Sequence, residues 1–196
     1  TLLRAIMNSP EFYSPKAVRA IVKNPVDFVV STVRSLGIGE QVGEAIVTAE
    51  NEASLPRLLR AALLSMRQAM DAMGMKLLFP PDVAGWETGT AWISSATMME
   101  RILWADRLFG QAPQGTRRIQ MNYQAAQLLE SGMTVRDFAE KLTSSFDAKL
   151  PSSKMDLLTK AGENALEGKP LNRQSANKAA SAICKLIFGS PEFQMH

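Results

Sequence analysis

Ser54–Gly74 reads SLPRLLRAALLSMRQAMDAMG, and its spacing decides the fold class. Leu55, Leu58, Leu59, Ala62, Leu63, Met66, Met70 and Met73 recur every three or four residues, so a helix gathers them on one stripe. Arg57, Arg60, Arg67 and Asp71 fall opposite. Ser54 predicts an N-cap, Pro56 a first turn in which its missing N–H is no loss, and Gly74 the exit. The arginine row suits an acidic partner or lipid headgroups, but an ordinary solvated face explains it without either.

The same period extends outward in both directions. NPVDFVVSTVRSLG (24–37) has Asn24 as cap, Pro25 in the first turn and Asp27 where a carboxylate favours the helix dipole. Its inward face is expected to be Val26, Val29, Val30, Val33 and Leu36. In TVRDFAEKLTSSF (134–146), Thr134 and Asp137 have capping-box spacing ahead of Val135, Phe138, Ala139, Leu142 and Phe146. NRQSANKAASAICKLIFG (172–189) aligns Ala176, Ala180, Ile183, Ile187 and Phe188. Further helices are predicted over 94–109, 122–131 and 154–166. No window alternates with period two, so the chain reads as an all-α, irregular multi-helix domain of about eight helices. The connector Phe109–Gln120 suggests two helical lobes: residues 1–112, carrying a Pro/Gly/Trp loop at 76–92, and residues 113–196.

Composition narrows the function classes. The 196 residues carry 22 Lys and Arg against 19 Asp and Glu, a net charge of +3 spread along the chain, which argues against a nucleic-acid reader. The single cysteine, Cys184, sits in an apolar helical run and reads as a small buried hydrophobe. One cysteine and one histidine, His196, do not make a zinc site, and Glu40, Glu44, Glu50 and Glu52 read as exposed helix charges, so neither metal nor cofactor is expected. No run is long enough to span a bilayer. Of the eleven methionines, Met66, Met70, Met73, Met75, Met98 and Met99 cluster on or near amphipathic helices and are expected to fill irregular core gaps, an adaptable binding groove being the alternative. GIGEQVG (37–43) lacks phosphate-loop spacing and reads as a linker, and SANK (175–178) as a solvated first helical turn. The chain opens abruptly at TLLRAIM, as if inside a helix, and is expected to be part of a longer protein.

One phrase occurs twice. AIMNSPEFYSP (5–15) and KLIFGSPEFQMH (185–196) both run from apolar residues into SPEF. Ser9-Pro10 and Ser190-Pro191 each stop a helix, and Phe12 and Phe193 are expected to tuck back as anchors. Helix-stop chemistry used twice accounts for this; an internal duplication is the sharper alternative.

SPEF with SPKAVRAIVKNPVDFVVSTVRSLG, then FPPDVAGWETGTAWISSATMMER, then the terminal LIFGSPEFQ, resembles the bacterial family known as domain of unknown function 1800, in its C-terminal portion. Pro80, Pro81, Val83, Gly85, Trp86, Gly89, Trp92 and Arg101 fill the central pattern; Asp82 stands where the family usually has Asn, keeping an acceptor and losing the amide donor. Ser9, Pro10, Phe12, Lys23, Pro25 and Arg34 fit the opening pattern. The resemblance implies a bacterial, often exported or periplasmic protein without an established activity. It also implies an N-terminal portion missing from this chain, which would be its first partner.

The candidate site is the loop FPPDVAGWETGTAW. Prolines fix the backbone, Gly85 and Gly89 allow close approach, and Trp86 and Trp92 offer flat apolar faces, with Asp82, Glu87 and Arg101 for polar contacts. Such a loop suits a partner protein, an interdomain contact or a glycan, and the chain then reads as a non-catalytic binding or scaffold module. The same residues also suit a structural role, with the indoles plugging space between helices. The alternative function is one wall of an extracytoplasmic hydrolase, formed by Asp82, Glu87 and Arg101, with the catalytic residues mainly in the missing portion.

Overall fold

The computed structural model describes every residue except Thr116 and Arg117 and the side chain of Glu52. Among the described residues the chain is all-α. Its eight helices are α1 (Leu2–Met7), α2 (Pro25–Ser35), α3 (Ile38–Thr48), α4 (Arg57–Ala72), α5 (Ser95–Phe109), α6 (Val135–Ser145), α7 (Ser152–Leu166) and α8 (Ala176–Gly189). Short 3-10 turns punctuate them, and among the described residues the one β feature is an isolated antiparallel bridge between Val22 and Met195.

The caps that the sequence advertises are formed. Asn24 Oδ1 accepts the Asp27 N–H at 2.9 Å and Pro25 fills the first turn of α2. Thr134 and Asp137 close a reciprocal capping box on α6, each side chain accepting the other's backbone N–H. Ser94 and Thr97 build a second one on α5. Such a cap contributes about 1 kcal/mol.

Four local expectations need correction. GIGEQVG is no linker: Gly37, at φ +71, turns the chain directly into α3. Ser54 does not cap α4, which starts after Pro56, while Ser54 sits in a separate 3-10 turn. Leu58 leaves the buried stripe of α4 and is exposed. The helix expected over 122–131 is only a 3-10 turn, Ala125–Leu128, because its approach is spent on capping α5: Met121 and Tyr123 donate to the carbonyls of Arg107 and Leu108 at 2.8 and 2.7 Å. Asn177 of α8 locks the arrangement, donating to the carbonyls of Phe109 and Tyr123 and accepting the Ala125 N–H.

The core is built around α5 lying on α8, with α7 and α6 packed beyond and α2 and α4 on the other side. Residues on both sides of position 112 share it, from Phe28, Val33 and Trp104 to Phe138, Ile183 and Phe193. Small residues bring the layers close: Ala176, Ala179 and Ala180 of α8 and Ala105 of α5 are fully buried. Gly162 of α7 sits where a Cβ would come within 2.7 Å of Val135 and 3.0 Å of Ile183. Several of the polar groups inside are paired. Trp104 donates its indole N–H to Thr32 Oγ1 at 2.8 Å, and Asp106 accepts from Ser181 (2.7 Å) and Lys185 (2.8 Å). Cys184 is buried, and burial raises its thiol pKa well above the ordinary range.

Candidate functional site

The loop between α4 and α5 carries its residues in a staggered turn. Asp82 Oδ1 accepts the Ala84 N–H at 2.8 Å and its carbonyl accepts the Gly85 N–H, so the acceptor at this position holds the turn. Gly85 and Gly89 have φ of +96 and +58, conformations that a side chain would strain. Pro80, Pro81 and Glu87 are exposed.

The two tryptophans part company. Trp92 is buried, with its ring close to Gly74 at the exit of α4, and its carbonyl accepts the Thr97 hydroxyl at 2.8 Å. Trp86 is half-buried, and its indole nitrogen, shielded from solvent, has no hydrogen-bond partner among the described residues. Other apolar side chains of the loop are exposed: Leu78 is 87% exposed, Phe79 65% and Val83 fully so. Lys76 lies over the Phe79 ring at 4.8 Å, beside a depression of about 330 Å³ bounded by Arg67, Met70, Asp71 and Leu77. Sequence reasoning centred the loop on its tryptophans and missed Leu77, Leu78 and Phe79, although the run LLF directly precedes the prolines.

Arg101 does not join this surface. It is fully buried in α5, donating to Gln194 Oε1 at 2.8 Å and to the Lys23 carbonyl at 2.7 Å, with the Phe28 ring 4.9 Å from its guanidinium carbon. Burial pulls its pKa down to about 10. Lys23, itself buried, lies 3.8 Å over the ring of Phe193. Burial, reinforced by Arg19 and Arg101 and partly offset by Asp147 and Asp27, pulls the Lys23 ammonium down to about 8. These residues clasp the two ends of the domain body: Ile21 and His196 exchange backbone hydrogen bonds, and Lys23 N–H donates to the Gln194 carbonyl. Phe193 stacks on Phe188 and meets Phe28 edge-on. Phe12, its counterpart in the first SPEF, is half-exposed and touches Tyr13.

The fold is an all-α body whose two ends are held by Arg101, Gln194 and Lys23, with an exposed proline–tryptophan loop between α4 and α5. The chain belongs to the DUF1800 family, proteins of unknown function, whose family model matches residues 1–195. No curated protein and no solved structure matches it. No helix among the described residues is long and apolar enough to cross a membrane.

Proposed function

We propose that this chain is a helical binding module that contacts a partner protein through the loop between α4 and α5. One observation carries the reading: Leu78, Phe79 and Val83 are all exposed within a short stretch of chain that includes Pro80 and Pro81. Large apolar side chains exposed close together in sequence on a loop favour association. Aromatic and aliphatic side chains with few charges suit the centre of a protein interface. Half-buried Trp86 adds an apolar ring from the same loop, and Asp82 and Glu87 supply a polar rim.

The test is capture from fractions of the source organism by the native chain, set beside Val83→Asp and Leu78→Asp variants. Both positions are exposed, so the variants should keep the native melting temperature. A defined partner retained by the native chain and lost with both variants supports the proposal. Equal capture by all three, or none, returns the loop to a structural role.

A further inference from the structure

The two SPEF segments match in conformation as well as in letters. Ser9 and Ser190 have φ, ψ of −80, 138 and −77, 143, and each leads into a 3-10 turn, Pro10–Tyr13 or Pro191–Gln194. The Ser9 N–H donates to the Ile6 carbonyl and the Ser190 N–H to the Ile187 carbonyl, both at 3.1 Å. The N–H groups of Phe12 and Phe193 return to Ser9 and Ser190, both at 3.2 Å. In this register Leu2, Leu3, Ile6, Met7 and Phe12 fall on Ile183, Cys184, Ile187, Phe188 and Phe193.

The second set is buried, every member at 1% exposure or less, whereas no member of the first is below 43%. The N-terminal unit therefore carries the apolar face of a helix end made for burial, and the described residues leave it exposed. Its charges follow the same template. Arg4 falls on Lys185, which pairs with Asp106, and Glu11 falls on Glu192, which pairs with Lys154. A surface covering the unit in the same manner needs an acid for Arg4 and a base for Glu11. A second copy of the unit, turned about a two-fold axis, offers both at once, its Glu11 to Arg4 and its Arg4 to Glu11.

We propose that α1 and the following turn form a self-complementary interface between two copies of this chain, closed by Leu2, Leu3, Ile6, Met7 and Phe12 and keyed by reciprocal Arg4–Glu11 pairs. Two such faces bury on the order of 1,000 Å², at the low end of specific interfaces, so the dimer is weak and concentration-dependent. This surface is separate from the α4–α5 loop and stands without it.

Sedimentation velocity over a concentration series tests the proposal. The native chain should dimerise, and Ile6→Asp, Arg4→Glu and Glu11→Arg should each weaken the dimer by about tenfold or more, while Arg4→Glu combined with Glu11→Arg restores it. Because α1 buries no residue, the variants should melt as the native monomer does. A native chain that stays monomeric up to the solubility limit overturns the proposal. So does a dimer indifferent to the three single substitutions, or a double variant no better than the single ones; in the last case Arg4 and Glu11 are not partners across the interface.

Discussion

Arg101 and Gln194, 93 residues apart, share a 2.8 Å hydrogen bond inside the protein, and the same guanidinium reaches the carbonyl of Lys23. One side chain thus joins the segment before α2, the middle of the chain and its last turn. Arg101→Ala should cost about 3 kcal/mol or more, because it leaves two acceptors buried without donors and opens a void beside Phe28. Arg101→Lys should recover only part, since one ammonium does not reproduce the fork. Urea denaturation measures both. An unchanged midpoint for Arg101→Ala would return Arg101 to the pool of ligand-binding candidates.

Lys23 predicts an unusual alkaline dependence. Its pKa is about 8 when folded and near 10.5 when free, so between these values the unfolded chain holds more protons. Stability should therefore rise with pH across that window, the penalty being full below pH 8 and relieved by pH 10.5. Lys23→Met should flatten the rise, by at most about 3 kcal/mol. Comparing the two proteins at pH 7.5 and pH 10 cancels titrations they share. Parallel curves would show that the ammonium is not destabilised by its site.

One substitution in one motif should have two outcomes. Phe193→Ala removes a ring stacked among Phe28, Phe146 and Phe188 and should cost about 3–5 kcal/mol. Phe12→Ala should change the stability of the monomer by less than about 0.5 kcal/mol, as its ring is half in solvent. Melting at low chain concentration separates them, and equal losses would mean that Phe12 is packed in solution.

Two helical glycines should respond with opposite signs. Gly43 of α3 has open space where a Cβ would go, so Gly43→Ala should stabilise by roughly 0.5–1 kcal/mol through helix propensity. Gly162→Ala gains the same propensity but drives a methyl into Val135 and Ile183, and should lose about 1–3 kcal/mol net. A gain at both positions would mean that α7 can move away from α8 cheaply.

Periodicity and caps were legible because they are local. Asn24-Pro25 and Thr134-x-x-Asp137 carry their chemistry within four residues, and both caps are formed as the spacing predicts. α3 was missed because its three glycines, counting the one before it, mimic a linker, while Glu40 and Glu44 already held helical spacing. The stretch 122–131 was over-read because its apolar residues have helical spacing, but its backbone is claimed by the end of α5 and by Asn177, partners remote in sequence. Candidate site residues divided along the same line. Asp82 works through a neighbour two residues on, whereas the partners of Arg101 lie 78 and 93 residues away, where no spacing rule reaches. SPEF is the sharpest instance: the letters specify the turn in both copies, and what covers its phenylalanine lies outside the motif.

The clasp at Ile21, Lys23, Gln194 and His196 also sets a timetable. During synthesis α2 is made well before α8, yet the aromatic cluster over Phe28, the acceptor for Arg101 and the ring beneath Lys23 all arrive only with residues 188–196. Closing so long a loop is an entropic cost borne before these contacts repay it. The native body can therefore be completed only after the turn Pro191–Gln194 has left the ribosome, and until then α2 and α5 depend on whatever shields their apolar faces from aggregation.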